Sequence, residues 1–243
     1  MTERQSLHRF ARPAVARRLA VGLLPWTAGA AAILLTIGLG LALIVSPPDY
    51  QQGESVRIMY IHVPAAWTAL MAYVGVALAS AVALVWRHPV AHLFARASAP
   101  IGAIFTVLTL ATGALWGKPS WGTWWVWDAR LTSVLVLLFL YLGFIALQDA
   151  FDQPERGQRA AAILAVVGVI NVPIIKFSVD WWNTLHQPAS VFRFDGPTIH
   201  PTMLWPLLIM AAGYMALYLT ATLMRLRAEL ARRRLAALAM AAG

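Results

Sequence analysis

Cysteine is absent from the 243 residues. That excludes a disulfide framework and any thiolate metal site, so a metal would have to be held by histidine or carboxylate. Charge is scarce too: Asp, Glu, Lys and Arg make up 12% of the chain, and only 10 residues are acidic. So little charge beside 60% hydrophobic residues and a mean hydropathy of +0.68 excludes an ordinary soluble domain and places the chain in a bilayer. No internal repeat of fixed period, no low-complexity tract and no G-x-x-x-x-G-K-[ST] loop occurs, so any ATP chemistry belongs to a partner. The formal charge of +9 comes almost wholly from arginine gathered at the two ends and beside apolar runs. That placement suits topology signals beside anionic membrane lipid and sets nucleic acid aside.

The apolar runs predict an all-α membrane protein, a single integral membrane domain over residues 1–243 with six transmembrane helices. The first span, about 21–45, follows Arg4, Arg9, Arg12, Arg17 and Arg18, is too long for a cleaved signal peptide, and is closed by Pro47 and Pro48. Further spans are expected at about 58–86, 97–116, 131–147, 160–177 and 203–224. The longest internal loop is 178–202. Of the 19 Lys and Arg, all but Arg57, Lys118, Arg130, Lys176 and Arg193 lie in the termini or the loops at 87–97 and 148–160. The positive-inside rule therefore puts both termini in the cytoplasm and the alternate loops outside.

One of those outer segments is unusual. WGKPSWGTWWVWDARLT, from Trp116 to Thr132, holds five of the eleven tryptophans: Trp116, Trp121, Trp124, Trp125 and Trp127. If the segment is helical, Trp121, Trp124, Trp125 and Asp128 share one face, an amphipathic aromatic platform ending in a carboxylate. Indole is flat, apolar and stiff with one N–H donor, so the platform suits a large, flat, partly polar ligand. An interfacial aromatic belt is the other reading. A belt, however, needs neither Gly122 nor the Asp128–Ala129–Arg130 triplet.

Three histidines, His62, His186 and His200, fall on the same outer side, while His8, His88 and His92 fall on the other. A helical turn would set Trp182 beside His186. Each alone reads as an interfacial histidine. Two from separate outer loops, facing indoles, an acid and a base, are what axial ligation of a haem requires. Its anionic propionates need cations, for which Arg130, Arg57 and Arg193 are the outer candidates. Asp128 would pair Arg130, orient a histidine, or anchor its loop as a helix-end carboxylate.

WGTWWVWDARLT resembles the tryptophan-rich WWD signature of haem-handling proteins of cytochrome c maturation. With FSVDWWNTLHQPAS and the six-span size, the chain over about 20–225 is similar to the cytochrome c maturation protein C (CcmC, haem exporter protein C) family. That resemblance implies a delivery protein rather than an enzyme, in the bacterial inner membrane, with the WWD segment at 117–130 and the loop at 178–202 on the periplasmic face. It implies His62 and His186 as axial ligands of a transient haem b. Trp116, Trp121, Gly122, Trp124, Trp125, Trp127, Asp128, Arg130, Arg57 and Trp182 would surround it. His200 matches no signature, and Ala129 stands where some members have proline. The implied partners are a CcmE-type haem chaperone, a small CcmD-type membrane protein and the CcmA–CcmB ATP-binding cassette complex. Two other readings stay open: an oxidoreductase subunit with a resident bis-histidine haem, and a secondary transporter using Asn171, Pro173 and Lys176.

Overall fold

A computed structural model describes residues 12–242. Arg4, His8 and Arg9 lie outside the described residues. The described chain has no strand and consists of helices α1 (Pro13–Gly40), α2 (Met59–Trp86), α3 (Pro89–Trp121), α4 (Ala129–Gln148), α5 (Pro154–Gly168), α6 (Asn171–Trp181) and α7 (Pro201–Ala242). A π turn, Leu41–Val45, prolongs α1, and a 3-10 turn, Glu54–Ile58, leads into α2. Six stretches among them are long and apolar enough to cross a membrane, which makes this a multi-pass membrane protein.

The helix boundaries follow from local chemistry. Proline opens α1, α3 and α5, where its missing N–H costs nothing and its fixed φ suits the first turn. His88 caps α3 by accepting the Ala91 N–H at Nδ1, and Asp128 caps α4 by accepting the Leu131 N–H at 2.7 Å. The α5–α6 span is broken at Val169 and Ile170. Asn171, buried at the break, donates from Nδ2 to the Ser133 carbonyl of α4 at 2.8 Å. A polar side chain thus ties the interrupted backbone to its neighbour, as a break at membrane depth requires.

Packing relies on small residues and tyrosine. Ala65, Ala69, Ala72 and Val76 of α2 are buried, as are Ala95, Ala99 and Ala103 of α3, so these two backbones approach closely. Tyr73 and Tyr141 meet edge to face at 5.0 Å, and the Tyr141 hydroxyl donates to the Ala69 carbonyl at 2.7 Å. Helix α1 lies mainly on α7, where Gly38 abuts Met210 and Gly213 abuts Leu35. The α1–α2, α3–α4 and α6–α7 connections gather at one end of the bundle, which holds the site. At the opposite end Glu229 of α7 takes Arg232 at 2.9 Å and lies 3.8 Å from Arg96 of α3, which also binds Asp149 at 2.9 Å. Helix α7 has 42 residues, about 63 Å at ~1.5 Å each, roughly twice the apolar core of a bilayer.

Candidate functional site

The tryptophan segment does not form the helical platform that its spacing suggested. Helix α3 runs past the expected end to Trp121 and stops where Gly122 turns left-handed at φ +78°, its N–H bonded to the Lys118 carbonyl at 3.0 Å. Residues 122–128 are non-helical until Asp128 caps α4, so Trp121, Trp124, Trp125 and Asp128 share no helix face. Trp124 and Trp127 turn outward, 55% and 76% exposed, with Lys118 Nζ 5.9 Å from the Trp124 ring centre. Trp116, Trp121 and Trp125 turn inward and line a cavity.

That cavity holds about 610 Å³, well within the range of ~300–1,000 Å³ typical of small-molecule sites. Its walls come from α2, α3, α4, α6 and Leu207 of α7, closed by residues 51–55 and 185–192. His62 projects from the first turn of α2, and His186 from the loop after α6; both line it. Among the described residues the only charged ones on the wall are cations, Arg130 and Lys176. Arg130 is not ion-paired with Asp128. Its Nε donates to Ser178 Oγ at 3.1 Å and its Nη2 to the Ile175 and Lys176 carbonyls, both at 3.3 Å, which leaves Nη1 without a protein partner. The guanidinium thus seats on carbonyls in the middle of α6.

Each imidazole has one nitrogen turned to a protein oxygen. His62 Nδ1 lies 3.1 Å from Thr112 Oγ1, and the ring meets Trp116 edge-on at 5.7 Å. His186 Nδ1 is sealed from solvent without a hydrogen bond, 3.6 Å from Asp128 Oδ2. The same Oδ2 accepts the Thr184 hydroxyl at 2.5 Å, and Thr184 Oγ1 accepts the His186 N–H at 3.1 Å. Burial, then the Arg130 charge, hold the His186 pKa at about 4 against the pull of Asp128. His186 is therefore neutral near pH 7, and its contact with Asp128 is an imidazole beside a carboxylate rather than an ion pair.

The indole beside His186 is Trp121, edge-on at 4.8 Å, rather than Trp182. Helix α6 ends at Trp181, so no helical turn joins Trp182 to His186, and Trp182 packs on Trp181 off the cavity. Arg57 is spent elsewhere, bound to Glu54 and to the Ala42 carbonyl. Gly122 and Asp128 stand behind the wall as turn and tether. Arg193 pairs with Asp195 at 3.7 Å, and His200 is exposed and bonded to Thr202 at 2.8 Å. Thr112, Thr184, Gln52 and Lys176 belong to the site without having been expected there; Gln52 Oε1 accepts the Trp116 indole N–H at 2.8 Å. A signal for Thr112 existed: Thr106, Thr109 and Thr112 recur every third residue in an otherwise apolar span.

Among the described residues no group of three or more His, Asp or Glu could hold a bare metal ion. Two imidazoles on one cavity instead suit a metal whose other ligands arrive with it, inside a flat apolar molecule bearing negative groups. The fold and site therefore define a multi-pass helical membrane protein with an aromatic, imidazole-bearing cavity at one end of its spans. The family model for Heme exporter protein C matches residues 6–241. Proteins of that name are similar along nearly the whole chain. That of Bradyrhizobium diazoefficiens is 54% identical over 231 residues, 95% of this chain and 88% of its own. Those of Escherichia coli K12 and Paracoccus denitrificans are 49% identical over 223 residues (92% and 90%) and 40% identical over 234 residues (96% and 97%). The chain belongs to the heme exporter protein C family.

Proposed function

We propose that the protein binds haem in this cavity as cargo of cytochrome c maturation and hands it on at the periplasmic face. The carrying observation is the pair of imidazoles, His62 and His186, on one cavity whose wall bears only positive charge. Each turns Nδ1 to a protein oxygen, so an iron bound between them would take its electron pairs from the two Nε2 atoms. Trp116, Trp121 and Trp125 cover the apolar macrocycle, and Arg130 Nη1 and Lys176 receive the propionates. The buried Trp125 indole N–H, which has no protein acceptor, supplies a further donor to an anionic edge.

The recipient is a haem chaperone of the CcmE type, assisted by a CcmD-type protein and a CcmA–CcmB ATP-binding cassette complex in the bacterial inner membrane. Both termini are cytoplasmic in this reading. The exposed Trp124 and Trp127 form the surface on which the chaperone docks, and the protein acts as a template that orients one edge of the cargo rather than as an enzyme.

The test is the absorption spectrum of the detergent-purified protein beside His62→Ala and His186→Ala, expressed with and without the chaperone. A Soret band in the wild type, weakened in both variants and depleted by the chaperone, is expected. Folded protein without haem under every condition refutes the proposal. Haem that stays bound and cycles with a quinone would make this an oxidoreductase subunit.

A further inference from the structure

Helix α3 carries three buried threonines at successive turns. The hydroxyls of Thr106 and Thr109 bond only the carbonyls of their own helix, Gly102 and Phe105, each at 2.8 Å. Thr112 differs. Its hydroxyl bonds the Leu108 carbonyl at 2.6 Å, with the Thr109 carbonyl at 3.4 Å, and it also faces His62 Nδ1 on α2 at 3.1 Å.

The polarity of that last contact follows from proton counting. A hydroxyl has one hydrogen and two lone pairs, and a carbonyl can only accept. The hydrogen of Thr112 is held by Leu108, its closest partner, so the side of Oγ1 facing His62 is a lone pair. Nδ1 must then be the donor. A neutral imidazole carries one N–H, so Nε2 is bare. Among the described residues the one ring nitrogen of His62 with a side-chain hydrogen bond is Nδ1, the Thr109 carbonyl also stands near the ring as an acceptor, and His62 lines the cavity. Gly113 permits the approach: a Cβ there would stand 3.0 Å from His62 Cε1, between the two ring nitrogens.

We propose that Thr112 is a positioning residue: it locks His62 as the Nδ1–H tautomer and so presents an unprotonated Nε2 to the cavity as an electron-pair donor. This deepens the haem reading and rests on it for the identity of the acceptor. The tautomer itself is a property of the empty protein.

The test compares Thr112→Val, which keeps the shape and loses the acceptor, with Thr112→Ser, which keeps the hydroxyl. Nitrogen NMR of histidine-labelled, haem-free protein, assigned through His62→Ala, reads the tautomer; titration with ferric haem reads affinity. We expect Nδ1–H at His62 in wild type and Thr112→Ser. Thr112→Val should show a shift toward Nε2–H and haem affinity about 10–100-fold weaker, the usual effect of losing such an outer partner. A His62 protonated at Nε2 in the wild type overturns the proposal, as does Thr112→Val with an unchanged tautomer and wild-type haem affinity. Should Thr112→Val fail to fold, the wild-type and Thr112→Ser tautomers decide. A wild type that takes up no haem, yet changes tautomer on loss of the hydroxyl, sinks the haem reading and upholds the lock.

Discussion

Asp128 is the residue where helix stability and the ligand site meet, and substituting it separates the two. Its Oδ1 caps α4 through the Leu131 N–H at 2.7 Å, while Oδ2 accepts the Thr184 hydroxyl at 2.5 Å and stands 3.6 Å from His186 Nδ1. In Asp128→Ala the lost cap costs about 0.5–2 kcal/mol. The lost bond to a charged acceptor adds about 1.5–3 kcal/mol, for a total of roughly 2–5 kcal/mol. The loop after α6 loses its tether as well, so haem retention should collapse. Asp128→Asn is the informative partner. Asparagine caps a helix as well as aspartate through its one amide oxygen, and the NH2 that replaces Oδ2 can donate to Thr184 Oγ1 once that hydroxyl turns, so stability should fall by no more than about 1 kcal/mol. The negative charge facing His186 is gone, however, and haem affinity should weaken about 10–100-fold. Unfolding followed by circular dichroism in detergent, beside haem titration, measures both. Wild-type haem affinity in Asp128→Asn would refute the claim that this carboxylate orients His186; wild-type stability in Asp128→Ala would refute the cap and tether.

Three further outcomes are expected. The folded His186 pKa of about 4 lies below the ordinary 6.5, so the unfolded chain takes up a proton that the folded protein refuses. Stability is unaffected above about pH 6.5 and falls as pH drops toward about 4, by up to ~3 kcal/mol; a pH-independent difference between wild type and His186→Gln across that window would exclude it. Arg130→Lys keeps a charge but cannot hold Ser178 and two carbonyls while reaching the cavity, so haem affinity should drop at least tenfold, a loss of ~1.4 kcal/mol; unchanged binding would remove Arg130 from the ligand's anionic contacts. Because the chain has no cysteine, Asp195→Cys and Asp152→Cys can be made without background. An impermeant thiol reagent should label the first from the periplasm and not the second, and the reverse pattern would invert the topology.

The spans were legible because an apolar run of membrane length has few alternatives. Their ends were less so, since Lys118 and Pro119 look like a stop but ride in the last turns of α3. Residue type and the expected outer side grouped His62, His186 and Arg130, and the structure places all three on one cavity. Their neighbours were not: spacing pointed to Trp182 beside His186, whereas the helix end at Trp181 lets the loop bring His186 to Trp121, some 65 residues away in sequence. Likewise Arg57, a plausible partner for an anion by its location, is drawn off by Glu54 and the Ala42 carbonyl. Competition of this kind depends on which acceptors the fold brings near, and no local pattern records it.

The two sides of the cavity differ in mechanical kind. His62, Thr112 and Trp116 stand on packed, continuous helices, whereas His186 and residues 187–192 stand on a loop tied down by Asp128, by the Thr198–Ser190 contact and by Phe192 against Trp67. Opening one side therefore takes the loss of a few polar bonds and the packing of Phe192 and Val191, with no shift of any span. A partner that competes for Asp128 or Thr184 would draw His186 away and leave His62 in place, so the cavity could open on one side with the scaffold at rest.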